Sequence, residues 1–72
     1  MDAQKLIQDS FNFATNAVHA DEDGKFKIAI FFYLEAAEAI KKALDYDGSL
    51  SALYPKAIQY LDRAESLHQQ LG

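Results

Sequence analysis

The sequence predicts an all-α fold, an antiparallel up-down-up three-helix bundle. Three observations carry this expectation. Apolar residues recur at intervals of three and four along three stretches of chain. Two short polar breaks, each holding a glycine (Gly24 and Gly48), part those stretches. Ala, Leu, Lys, Glu and Gln are abundant, against three Gly and one Pro, as in helical chains. Short connections place successive helices side by side and antiparallel. At 72 residues, one domain spanning 1–72 is expected.

The first helix is read over about residues 3–20. Ala3, Leu6, Ile7, Phe11, Ala14, Ala17 and Val18 share its apolar side, with Phe13 off that stripe. Asp2 is placed to cap the free N–H groups of the first turn. In the break at 21–25, Gly24 suits the left-handed conformation that ends a helix. The acidic residues before it suit the start of the next helix.

The second helix is read over 26–46. Phe26, Ala29, Tyr33, Ala36, Ala37, Ile40 and Leu44 make its core face. Lys27, Glu35, Glu38, Lys42 and Asp45 make the opposite one, where Glu38 and Lys42 are four apart in the favourable order. Its Ala-rich middle allows close approach of neighbouring helices. Phe31 and Leu34 fall on the charged face and are the anomaly. They read as scattered surface apolars or as a second contact surface.

The third helix is read over 51–71. Gly48 suits a helix C-terminus, and Ser49 or Ser51 a cap. Pro55 is comfortable only in a first turn, so the regular helix is expected to start near Leu53 or Tyr54 after a loose turn. Tyr54, Ala57, Ile58, Tyr60, Leu61, Ala64, Leu67 and Leu71 span about half its circumference at ~100° per residue. That arc is wide enough to meet two helices and leave an apolar strip, bordered by Asp62 and Glu65.

Composition narrows the function. Net charge is −4, from 11 acidic and 7 basic residues. That argues against nucleic acid, which needs a clustered basic face, and against docking on an anionic membrane. A basic peptide suits it better. The longest apolar run, residues 28–34, is far short of the ~20 residues that span a bilayer, and no signal peptide is visible. There is no Cys, so stability must come from apolar packing, and a cytoplasmic location is expected. Met1 suggests an N-terminal domain of a longer protein.

No catalytic or cofactor chemistry is legible. His19 and His68 sit near helix C-termini and read as solvated groups. The run Asp21, Glu22, Asp23 lacks calcium-loop spacing, no His pair has metal-ligand spacing, and no glycine-rich phosphate cradle exists. Ser10, Ser49, Ser51 and Ser66 lack a nucleophile-elbow context. The chain is therefore expected to be non-enzymatic, with no cofactor and no metal.

A family likeness runs through the whole chain. Phe13, Ala14, Ala17, Val18 and Asp21 lead into Gly24, Lys25 and Phe26. Ala29, Tyr33, Ala36, Ala37 and Ile40 follow, and the run Tyr60, Leu61, Asp62, Arg63, Ala64, Glu65 closes with Leu67. This pattern resembles the MIT (microtubule-interacting and trafficking) domain. The opening MDA, the stretch FFYLEAAEAI and the closing LDRAESLH are also similar to the first MIT domain of PalB-type calpains.

The resemblance implies a peptide-binding adaptor for the C-terminal tails of ESCRT-III subunits, recruited through them to endosomal membranes. One family mode lays an amphipathic helix between the second and third helices; another runs an extended motif between the first and third. In the first mode the groove leucine falls on Leu61 and the acidic partners on Asp62 and Glu65. Pro55, Ile28, Phe31 and Leu34 depart from the family pattern. Residue chemistry agrees, since helix-in-groove recognition needs apolar anchors at helical spacing with flanking charges. The candidate peptide-binding residues are Tyr54, Ala57, Ile58, Leu61, Asp62, Ala64, Glu65 and His68. Of these Ile58 and Ala64, with Leu67, read as core first and ligand contacts second, and Tyr60 as a half-buried packing residue. Asp62 and Glu65 are either ligand partners or solvated, and Arg63 pairs with Gln59 or with nothing. The isolated domain is expected to be a monomer. The alternative is a self-associating or tetratricopeptide-like module using Phe31 and Leu34, against which stands the missing second repeat.

Overall fold

A computed structural model describes residues 2–72. Met1, and with it the expectation of an N-terminal position, lies outside the described residues. Helices α1 (Ala3–Glu22), α2 (Phe26–Tyr46) and α3 (Tyr54–Leu71) form the bundle, and a 3₁₀ segment (Gly48–Leu53) joins the last two. Ser10 meets Ala36 and Phe13 meets Phe32, so α1 and α2 run in opposite directions. Leu44 and Tyr54 share one depression while Ile30 and His68 share another, so α3 turns back again. The bundle measures 36 × 17 × 14 Å.

The helix ends follow from local chemistry. The Asp2 carboxylate accepts the Lys5 N–H at 2.9 Å and caps α1. At the other end Gly24 has φ +76°, the Lys25 N–H donates to the Ala20 carbonyl, and the Gly24 N–H donates to the Asp21 carbonyl. These two bonds close the α1 terminus as a Schellman turn. The first helix thus runs past Ala20 to Glu22, because Gly24, the residue expected to end it, closes the turn just beyond the cap Asp23 and leaves residues 21 and 22 helical.

The second connection differs from expectation. Gly48 is not left-handed; α2 stops at the extended Asp47, whose carboxylate accepts the Ser49 N–H at 3.0 Å and the Ser49 hydroxyl at 2.6 Å. Those bonds start the 3₁₀ segment and hold the Asp47 carboxyl below its ordinary value. The regular third helix begins at Tyr54, as Pro55 led one to expect, with Pro55 in its first turn; the 3₁₀ segment takes the place of the loose turn from residue 51, and there is no serine cap.

The core is made of small residues with a few large ones set among them. Ala17, Ala29, Ala36 and Ala43 are wholly buried, as are Ile40 and Leu67. Buried Ser10 donates its hydroxyl to the Ala36 carbonyl at 2.9 Å, which satisfies it without a water. Small side chains let α1 and α2 approach closely, and α3 packs chiefly on α2. Phe13, off the α1 stripe, stacks on Phe32 with centroids 6.3 Å apart. Tyr60 is buried, not half-buried, and stacks on Tyr33 at 6.2 Å.

Candidate functional site

The wide apolar arc of α3 divides in two. Ala57, Tyr60, Ala64 and Leu67 are buried, while Tyr54, Ile58, Leu61 and Leu71 are exposed. Ile58, read as core from the sequence, stands in the exposed half. The exposed half does not face open water alone: α2 runs beside it and the two helices bound an apolar groove. One depression of about 420 Å³ takes Tyr54, Ala57, Ile58 and Leu61 from α3, and Leu34, Ala37 and Leu44 from α2, with Glu38 and Lys41 at its rim. A second, of about 250 Å³, takes Leu61, Ala64, Glu65 and His68 from α3, and Ile30 and Leu34 from α2.

Seven of the eight candidate residues thus come together along one groove. Asp62 does not line either depression; it is exposed on the outer face of α3. The α2 wall was the part sequence reading missed. Leu34, set on the charged face by its wheel position, is a wall of the groove. Phe31 parts company with it: Phe31 packs edge-on against Phe32 at 5.3 Å and stays mostly exposed.

Charge is distributed to match. Among the described residues the ion pairs are Lys5 with Asp9 and Arg63 with Asp21. Glu38 and Lys42 do not pair, although their spacing allows it. Glu38 and Glu65 therefore keep their carboxylates unengaged around the groove, and Asp62 keeps its own unengaged outside it. The groove offers apolar walls, alanine floors and acidic rims, and holds no nucleophile with a base beside it. No group of three or more His, Cys, Asp or Glu side chains among the described residues is placed to hold a metal ion. Among the described residues no helix is long and apolar enough to cross a membrane.

The opposite edge of α3 faces α1 and is polar. Arg63 forks onto Asp21, Nε to Oδ2 at 2.7 Å and Nη2 to Oδ1 at 2.8 Å. The sequence reading of Arg63 as paired with Gln59 or unpaired is overturned by this bidentate contact. The Tyr33 hydroxyl donates to the same carboxylate at 3.0 Å, so one acid joins all three helices. The Arg63 hydrogen bonds lower the Asp21 pKa, burial opposes them, and the Tyr33 hydroxyl adds to the lowering. Burial raises the Tyr33 pKa, and its bond to the Asp21 carboxylate raises it further. Lys56 lies 5.8 Å from the centre of the Tyr60 ring. A wider depression of about 530 Å³ opens on this side, with Phe11 and Val18 along its α1 wall.

Comparison with known proteins agrees with this architecture. Residues 7–69 match the family described as the MIT (microtubule interacting and transport) domain. The calpain-7 proteins of Mus musculus, Homo sapiens and Sus scrofa are each 40% identical to the chain over 68 residues. That stretch is 94% of this chain and 8% of each relative, so the chain spans a small part of their length. No solved structure matches it.

Proposed function

The chain belongs to the MIT domain family of small helical protein-interaction modules, and from that premise we propose that it is a non-catalytic adaptor for the C-terminal motifs of ESCRT-III subunits. The motif lies as an amphipathic helix in the groove between α2 and α3. Tyr54, Ala57, Ile58, Leu61 and Ala64 receive its apolar side, and Glu65 and His68 border one end. Asp62, outside both depressions, adds only a weak, solvent-screened attraction to the motif's basic residues. Binding recruits a larger protein to endosomal or other membrane-remodelling sites. The observation that carries this reading is the apolar groove itself, floored by alanines and rimmed by carboxylates that have no ion partner among the described residues. Such a surface takes a helix with aliphatic anchors and basic flanks.

The test is titration of ESCRT-III tail peptides against the 72-residue chain and against Leu61→Asp. Micromolar affinity, ~−7 to −9 kcal/mol, is expected for the parent. Loss of binding by the still-folded variant is expected too, because a charge then stands in the apolar wall. A parent that binds no tail, or a folded variant that binds equally, defeats the assignment.

A second reading rests on Phe31, which is 55% exposed. It makes this face a self-association surface. Sedimentation over a range of concentrations separates the two: a strict monomer whose mass does not respond to Phe31→Lys removes it.

A further inference from the structure

The outward face of α2 is organised about Phe31. At ~100° per residue, Phe31 stands on the opposite side of the helix from wholly buried Ile40. It is 55% exposed, and Ile28, one turn before it, is 49% exposed. The Phe31 ring already lies edge-on against Phe32 at 5.3 Å, so little rotamer freedom is lost when a partner covers it. Leu34, on the α3 side, belongs to the groove, and a contact centred on Phe31 does not use it.

Charge is arranged about Phe31 with a symmetry of its own. Lys27 lies four positions before it and Glu35 four after, so all three share one row along the helix. Lys27 is exposed and Glu35 half-buried, and neither has an ion partner among the described residues. A row that is positive at one end, apolar in the middle and negative at the other is complementary to itself reversed. Two such helices crossing antiparallel bring Lys27 of each copy opposite Glu35 of the other, and Phe31 meets Phe31 on the axis. A parallel crossing sets like charges together. The commonest crossing of packed helices, at about −50°, is the one that brings rows of this four-residue spacing alongside each other.

We propose that this face is a self-association surface on which a second copy of the chain docks, α2 across α2 and antiparallel, about a two-fold axis at Phe31. The proposal rests on the self-association reading above and gives it a geometry; the groove reading does not depend on it. Crossed helices diverge away from the crossing, so little beyond Phe31, Ile28 and the charge pairs is covered. That is short of the ~1,200 Å² at which stable interfaces begin, and the net charge of −4 on each copy opposes the contact. The dimer is therefore weak and is populated at high local concentration.

The test is sedimentation of the 72-residue chain at low salt, up to millimolar concentration. The parent shows a mass that rises with concentration, and Phe31→Lys removes the rise. Lys27→Glu and Glu35→Lys are then compared alone and mixed. Each alone turns the attractive pairs into repulsive ones and weakens association about tenfold. Mixed in equal amounts, the two variants associate with each other as tightly as the parent does, because every acid then faces a lysine. Both positions lie outside the core and both substitutes are good helix formers, so the variants keep their fold. A mass rise that Phe31→Lys abolishes, with a mixture no tighter than either variant alone, overturns the two-fold crossing and leaves self-association through Phe31 standing. A parent that stays monomeric throughout, or an association that ignores Phe31→Lys, overturns both and leaves the groove reading untouched.

Discussion

The two edges of α3 are built from opposite chemistry. Along the edge that faces α1, polar groups are satisfied within the fold: Arg63 is forked on Asp21, and Lys56 lies over Tyr60. Along the edge that faces α2, Leu61, Ile58 and Tyr54 are exposed apolar groups, and Glu65 has no ion partner among the described residues. The run Tyr60, Leu61, Asp62, Arg63, Ala64, Glu65 supplies both. At ~100° per residue, neighbours in sequence point to different sides. Tyr60 and Ala64 go to the core, Arg63 to the clamp, Leu61 and Glu65 to the groove. A short motif that looks like a binding signature is thus partly a folding signature. Removing Arg63 and removing Glu65 test different properties.

The largest expected effect contrasts core with groove on the same helix. Leu67→Ala leaves a cavity at a wholly buried site and costs ~2–5 kcal/mol in urea unfolding, much of the stability of a domain this size. Leu61→Ala is expected to cost under ~1 kcal/mol in the same assay while weakening peptide binding. Equal destabilisation by both ends the division between the two halves of α3. The clamp comes next. Asp21→Asn lowers the unfolding midpoint at pH 7 by less than Leu67→Ala. The folded Asp21 carboxyl is held below its ordinary value of 3.8. Its contribution is therefore fully present above that value and lost as pH falls through the lower, folded one. The gap between parent and Asp21→Asn should shrink as pH falls below 3.8, and a gap unchanged with pH would count against the charged clamp. The smallest effect is at the rim. Glu65→Gln is expected to weaken a basic peptide by roughly three- to tenfold at low salt and less at high salt. Asp62→Asn, outside both depressions, is expected to change it under about twofold. The reverse order would move the rim outward to the far side of α3.

Periodicity made the three helices legible, because burying one face of each is the only way such a chain gains stability. It also made the α3 arc legible as too wide for one neighbour. Leu34 was misplaced for a different reason. A helical wheel orders the faces of α2 but does not say which edge lies beside α3, and its position near the border of the core face becomes a wall only once α3 is packed there. The clamp was hidden because Asp21 and Arg63 are 42 residues apart, and only the packed bundle joins them. Pro55 did mark the α3 start, since proline tolerates only the first turn. The 3₁₀ segment before it depends on one Asp47 carboxylate, which composition alone gave no reason to single out.

The close alanine seam between α1 and α2 has a consequence for the order of assembly. Those helices are joined by a short closed turn and pack along their length, whereas α3 rests chiefly on α2 and reaches α1 through side chains. Sequence-local contacts of this kind form early and quickly, so the hairpin of α1 and α2 is expected to form first and α3 to dock on it last. Amides of α3 should then exchange with deuterium through openings that leave the hairpin intact. A peptide lying across α2 and α3 ties the last-docked helix to its template. Bound partner should therefore slow exchange in α3 more than in α1, a readout of occupancy that needs no label on the ligand.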